Sequence, residues 1–392
     1  MWQLMADIIE PDDLADLVSF LQSSDRFTNG PKVKEFEKVW SEWLGVEFST
    51  MVNSGASANF LSIAIVKELF GVGEVIVPSL GWSSDVSSIT QLGMKPVFVD
   101  VDPNTMGLQP EALSRAISSQ TKAVVVVHAL GFNALTKEIQ KILKNHKMFV
   151  IEDCCEAHGA LIDVAKNKKV GTFGDLSLFS FYYGHHITTI EGGMVSCKKK
   201  DLKNLALMFR SHGMTREAPA EVGKRYAKKY PDLNPLFTFA LAGFNFRSTE
   251  LNAVLGLSQI KKLDKNIKAR KTNLNVWLNS LNPGHFKTDY VAAGNSSFAL
   301  PLILKERNFQ LKDAVLRELE KFGVEYRLGT AGGGNLARQP FLEKYSYRVE
   351  GELTFVDHIH EFGLYVGNGS HVNVEMVRSL ASAVNQLCAR DK

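Results

Sequence analysis

Between about residues 50 and 200, short β-branched runs alternate with longer helical patterns, and this alternation constrains the fold more than any other feature of the chain. Parallel strands cannot be joined by tight turns, so each needs a crossover of a dozen or more residues, usually a helix. The runs Glu74–Val77, Pro96–Val101, Ala123–His128, Met148–Glu152 and Ser177–Phe181 read as strands. The stretches Ser57–Leu69, Pro110–Ile117 and Lys137–Asn145 read as helices between them. The expectation is an α/β fold with a mainly parallel sheet covered on both faces. In such sheets ligands collect at the carboxyl ends of the strands, beside helix N-termini.

A chain of 392 residues with 45% hydrophobic residues is long enough for two domains with substantial cores. Residues 1–265 are expected to form a large domain and 266–392 a smaller C-terminal α+β domain. A long charged helix, Ile260–Leu281, would link them. In the second, Ser297–Leu302 and Val324–Arg327 are strand candidates, and Lys312–Phe322 and Val374–Cys388 are helix candidates. Residues 216–236 mix charged and aromatic residues without clear period and read as a loop.

Basic residues exceed acidic ones by only three, 45 against 42, and are scattered. That is too weak a signal for nucleic acid. The strongest apolar run, Ala123–Phe132, is far short of the roughly 20 residues that cross a bilayer, so no membrane partner is expected. Asp7, Glu10, Asp12 and Asp13 stand where an export signal would need basic residues and an apolar run. The four cysteines, Cys154, Cys155, Cys197 and Cys388, offer no disulfide framework, and a cytoplasmic location is expected.

Three segments can carry chemistry. Asn53–Ala58 precedes a helix with small residues, which exposes backbone N–H groups at the positive end of a helix dipole; such a turn can hold a phosphate or simply cap. Met148–Asp153 ends a strand in two carboxylates, of which Asp153 is the better candidate to face the crevice. A carboxylate buried there needs a cationic partner, such as a protonated pyridine nitrogen, or else serves as a metal ligand or cap. The third segment, Ser180–Met194, contains the pair His185-His186 and the sequence Glu191-Gly192-Gly193.

Together these segments resemble the fold-type I, aspartate-aminotransferase-like sugar aminotransferases that use pyridoxal phosphate. The matching motifs read Ser54–Ala58, Pro78–Trp82, Ile151–Asp153, Ser180–Gly193 and Gly243-Phe244-Asn245-Phe246-Arg247. The resemblance implies a mainly parallel seven-stranded sheet in the large domain. It also implies that Gly55 and Ala56 bind the cofactor phosphate through their amides, with Ser180 beside them. Trp82 would stack on the ring and Asp153 would keep its nitrogen protonated. Glu156 falls where many relatives have Gln near the ring's 3-oxygen. Asn245 would reach the cofactor of a neighbouring subunit, which implies a homodimer with shared active sites.

Six residues before Glu191-Gly192-Gly193, where aminotransferases place the lysine that binds the cofactor covalently, this chain has His185. Only a primary amine condenses stably with an aldehyde, so the cofactor must be held noncovalently. An imidazole retains the capacity for proton transfer near neutrality. This exchange resembles the 4-keto-6-deoxysugar 3-dehydratases of 3,6-dideoxysugar biosynthesis. One branch carries an iron–sulfur cluster on clustered cysteines, which this chain lacks; the cluster-free branch acts on GDP-4-keto-6-deoxy-D-mannose. That resemblance implies pyridoxamine phosphate as working cofactor, loss of the C3 hydroxyl, release of ammonia, and recharging by L-glutamate. No metal is expected, and His212 and Arg247 are candidates to contact a nucleotide-diphosphate sugar. The competing readings are an aminotransferase borrowing Lys166, Lys168 or Lys169, and an inactive homologue.

Overall fold

The computed structural model describes residues 1–6 and 8–388. Its strands are β1 (Phe48–Val52), β2 (Glu74–Pro78), β3 (Lys95–Val99), β4 (Thr121–Val127), β5 (Phe149–Asp153), β6 (Leu161–Asp163), β7 (Lys168–Lys169), β8 (Leu176–Ser180), β9 (Gly193–Cys197), β10 (Ala299–Ile303), β11 (Tyr326–Leu328), β12 (Arg348–Glu350) and β13 (Gly363–Gly367). The large sheet runs β1-β9-β8-β5-β4-β2-β3-β12. Only β9 runs against the rest. A three-stranded antiparallel sheet, β10-β13-β11, forms the centre of the C-terminal part.

The architecture is the expected α/β one, with two differences. The large sheet has eight strands where seven were expected. The eighth, β12, comes from the C-terminal segment and pairs in parallel with β3, Val349 opposite Phe98. It is three residues long and flanked by charges, too short to leave a period in the sequence. Residues 216–236 are also not simply a loop, because Ala220–Lys229 is a helix. That helix buries none of its residues, so no apolar stripe marks it. The linking helix runs Leu263–Ser280, so residue 265 lies inside its first turn.

Packing fixes the elements that carry the cavity. The helix Gly55–Phe70 is buried along most of its length between the sheet and its neighbours. Beneath β8, Trp40 of the helix Pro31–Leu44 packs edge-on against Phe179 and Phe181, each with ring centres 4.9 Å away. Such aromatic pairs contribute about 0.5–1.5 kcal/mol beyond their buried area. The N-terminal segment crosses to the C-terminal part, where the Trp2 indole N–H donates to the Gly367 carbonyl at 2.9 Å.

β12 is held to the sheet by Arg348, which donates to Glu74 Oε2 at 3.0 Å, to the Ala116 carbonyl at 2.7 Å and to Glu350 at 2.8 Å. Burial opposes ionisation of Glu74, yet its bonds to Arg348 and Ser118 bring its pKa below the usual value of 4.5. Arg348→Met is therefore expected to cost about 2 kcal/mol at neutral pH, the loss typical of a charge-assisted bond whose buried partner remains. A carboxylate with a lowered folded pKa contributes stability above its unfolded pKa and loses it as pH falls. The difference in thermal midpoint between variant and wild type should thus shrink below about pH 4.5; an undiminished gap there would exclude the ionic origin.

Candidate active site

A cavity of about 350 Å³ opens at the carboxyl ends of β2, β4, β5 and β8. Its walls include Gly55 and Ala56 after β1, Trp82 after β2, Asp153 at the end of β5, Glu156, Ser180 at the end of β8, and His185. The C-terminal part adds Phe298, Arg327 and Tyr365, and Met5 arrives from the N-terminus.

One end is a cradle for a small anion. Ser54 caps the helix Gly55–Phe70 by accepting from the Ser57 N–H at 3.0 Å, which leaves the first-turn amides of Gly55 and Ala56 at the cavity wall. A Cβ on Gly55 would lie 2.6 Å from the Ser180 Cβ, so only glycine lets the helix start approach β8 this closely. Ser180 is buried, and its hydroxyl accepts from the Tyr182 N–H at 3.3 Å.

The two carboxylates ending β5 point to opposite sides, as strand alternation requires. Glu152 faces away and is saturated: it accepts from the amides of Gly171, Phe173 and Gly174 at 2.8, 2.8 and 2.6 Å and meets His128 Nε2 at 3.2 Å. His128 Nδ1 accepts from the Ala134 N–H, which places the ring proton on Nε2, toward Glu152. His128, Glu152 and Cys154 lie close enough to share an ion, but these bonds occupy the donor atoms of the first two. Asp153 faces the cavity, accepting from Asn59 Nδ2 at 3.3 Å and the Cys155 N–H at 2.8 Å. It is 5% exposed, with no basic side chain among its hydrogen-bond partners.

Glu156 accepts from the Leu130 N–H at 2.8 Å. Burial, reinforced by Asp153, raises its pKa to about 7 against the influence of Arg327. His185 moves the other way: burial lowers it to about 4, Asp153 opposing and Arg270 assisting. The imidazole is neutral at physiological pH. Its Nδ1 is buried without a hydrogen-bond partner, which leaves Nε2 as the nitrogen that can serve the cavity. Its ring lies between those of His158 and Phe298, with centres 5.8 and 5.4 Å away, and its carbonyl accepts from Arg270 at 3.4 Å. Trp82, 52% exposed, also lines the cavity.

Seven of the ten residues singled out in the sequence thus share one cavity. Asn245, Arg247 and His212 do not line it. They belong to two strips joined by the Ser211–Asn245 bridge, where Arg247 Nε donates to Asn245 Oδ1 at 3.1 Å and the side chains of Asn245 and His212 face outward. Met5, Phe298, Arg327 and Tyr365 were not anticipated, since they reach the cavity from distant parts of the chain. Lys168 and Lys169 form the small strand β7, and Lys166 lies in the turn before it. None of the three lines the cavity, and among the described residues neither does any other lysine.

The model of the DegT/DnrJ/EryC1/StrS aminotransferase family matches residues 8–385. The chain belongs to this family. It is 34% identical over 367 residues to the GDP-4-keto-6-deoxy-D-mannose 3-dehydratase of Yersinia pseudotuberculosis, with 91% of each chain covered. Against the enzyme of the same name from Escherichia coli O55:H7, identity is 31% over 364 residues, covering 91% of this chain and 93% of that one. Among solved structures, E. coli GDP-4-keto-6-deoxy-D-mannose 3-dehydratase with bound hydrated pyridoxal phosphate superposes with a TM-score of 0.87 at 28% identity, covering 98% of this chain and 99% of that one. The cavity here fits that group. It combines a glycine cradle with free amides for a phosphate, a buried carboxylate without a basic partner for a ring nitrogen, and an indole wall for a ring face.

A carboxyl whose folded pKa is raised weakens the fold as pH climbs from its unfolded toward its folded value. Glu156→Gln keeps the acceptor for Leu130 and removes the charge. Relative to wild type, the variant should gain about 2–3 kcal/mol between about pH 5 and pH 8, measured by denaturant unfolding without cofactor. A constant difference across that range would contradict the raised pKa.

Proposed function

We propose that this chain removes the C3 hydroxyl of a nucleotide-linked 4-keto-6-deoxysugar using noncovalently held pyridoxamine phosphate. The products are the 4-keto-3,6-dideoxysugar and ammonia, and L-glutamate restores the amine. The observation that carries this reading is an imidazole, and no lysine, at the cavity wall. When bound, the cofactor supplies the amine that condenses with the sugar ketone and a conjugated ring that accepts electrons. His185 Nε2 accepts and returns a proton there; it cannot form the covalent link that a resting aminotransferase needs. Gly55, Ala56 and Ser180 would bind the phosphate, Trp82 would cover the ring, and Asp153 would hold the ring nitrogen's proton. Glu156, with a pKa near neutrality, can donate to or accept from the ring's oxygen.

GDP-4-keto-6-deoxy-D-mannose is the favoured substrate. Two relatives more than 30% identical to this chain are named for it. A solved histidine-to-asparagine variant of GDP-4-keto-6-deoxymannose 3-dehydratase, 28% identical with TM-score 0.89, holds GDP-perosamine. Arg327 at the cavity mouth, with His212 and Arg247 of a facing subunit, would meet the diphosphate. A homodimer with shared sites is supported by the outward face of Asn245 and the exposed Leu236, Phe237 and Phe239 that precede it. No helix among the described residues is long and apolar enough to cross a membrane, and the cytoplasm, where nucleotide sugars are made, is the proposed location.

His185→Asn is expected to slow ammonia release from the GDP-linked ketosugar by about 10²–10⁴-fold, the usual worth of a positioned base. With pyridoxal phosphate bound, borohydride should leave the cofactor removable from the wild-type chain and fix it in His185→Lys. A covalent adduct on the wild-type chain would end the proposal. For the shared site, mixing His185→Asn with Asn245→Asp subunits under exchange should restore about a quarter of wild-type activity, because half the dimers then hold one intact site. No restoration would place Asn245 in its own subunit's cavity or outside the site.

A further inference from the structure

The cavity holds a second buried carboxyl that the function above does not use. Asp85 lies in the first turn of the helix Ser83–Gln91, is 1% exposed and lines the cavity. Its Oδ2 accepts from the Trp82 N–H at 3.1 Å, while its Oδ1 is buried without a donor. The carboxyl of Asp153 lines the same cavity, and its negative charge bears on Asp85; Asn59 donates to Asp153 Oδ2 at 3.3 Å. Two ionised carboxylates are acceptors only, so a bond between them requires a proton on one. Both oxygens of Asp153 already accept N–H bonds, and Asp85 Oδ1 does not. A proton shared between the two carboxyls would therefore sit on Asp85 Oδ1.

We propose that Asp85 and Asp153 form an acid–carboxylate pair sharing one proton, and that this pair, rather than Asp153 alone, keeps the ring nitrogen of the bound cofactor protonated. Asp85 is a positioning residue acting through Asp153, and the inference rests on the cofactor assignment above. Burial and the Asp153 charge both hold the Asp85 carboxyl well above the ordinary range. The other titratable groups bearing on the pair are Cys154, Cys155 and Glu156 after β5 and His185 after β8, with Glu191 also lining the cavity. With the ring in place, three sites hold two protons. On raising the pH, Asp85 can release its proton first, which leaves the protonated nitrogen facing two negative charges. The ring then stays protonated to higher pH than one carboxylate would allow.

The test uses the full chain loaded with pyridoxamine phosphate labelled with ¹⁵N in the ring, and no sugar. Asp85→Asn keeps the volume and a donor toward Asp153 but cannot release a proton. Its ring ¹⁵N resonance should move to the unprotonated position at least one pH unit below the wild type, a tenfold change in proton affinity. A role confined to capping the helix would alter stability and leave that titration in place, and coincident curves would overturn the proposal. Infrared spectra at about pH 8.5, above the Glu156 transition, give a measurement independent of the variant's folding. The holoenzyme should show the carbonyl stretch of a protonated buried carboxylic acid, and its absence would likewise overturn the proposal. Because no sugar is present, a wild-type chain that binds the cofactor but fails to release ammonia would defeat the function while leaving this pair intact. Ammonia release with coincident titrations would do the reverse.

Discussion

The site depends on the parting of two neighbouring carboxylates at the end of β5. Glu152 turns inward to a shell of three backbone amides and one imidazole, a set of bonds that fixes the strand end and the loop Gly171–Gly174 around it. Asp153, one residue on, faces the cavity, where it accepts from the N–H groups of Asn59 and Cys155. A buried carboxylate with so few partners is expensive unless a cation or a proton stands nearby. The rest of the cavity is arranged around that requirement.

Burial favours the neutral forms of the two titratable groups beside it, Glu156 and His185. The same desolvation that raises Glu156 to about 7 lowers His185 to about 4, because in each case the neutral form is preferred. Behind His185, the rings of His158 and His186 lie 5.1 Å apart among Trp40, Phe179 and Phe181, where burial also holds both pKa values down. His185 thus stands on a neutral aromatic floor, and Arg270 ties its backbone in place by donating to the carbonyls of His185 and Phe298. Asp153 lies in the depth of the cavity, and Arg327 and Glu191 line it from exposed positions.

Most of the parallel sheet was legible because apolar strands and amphipathic crossovers write different periods into the chain, and Lys137–Asn145 begins and ends where its pattern does. Asp153 was legible by alternation along β5, and His185 by its fixed spacing from Glu191-Gly192-Gly193. The helix Ala220–Lys229 was not, since it buries no face, nor was β12, whose pairing depends on Arg348 finding Glu74 across 274 positions. Phe298, Arg327 and Tyr365 carry no local motif and enter the cavity only because β10, β11 and β13 fold over it. Asp85 escaped notice for a different reason. A carboxylate in the first turn of a helix is ordinary, and Asp85 does cap the helix there.

The exchange of an amine for an imidazole therefore changes more than one bond. A lysine at position 185 would bring a positive charge and a nucleophile to a wall that is now neutral, and the buried carboxyls would find a cation in the protein itself. With His185 there, no basic side chain of the protein bonds to Asp153, and the cation that it requires can come from a bound ring nitrogen. Under the proposed function, noncovalent retention would depend on the glycine cradle, the indole wall and this electrostatic demand acting together. A chain that holds its cofactor without a covalent link must bind it through other forces, and the buried carboxylate of Asp153 is the group that would supply charge for that binding.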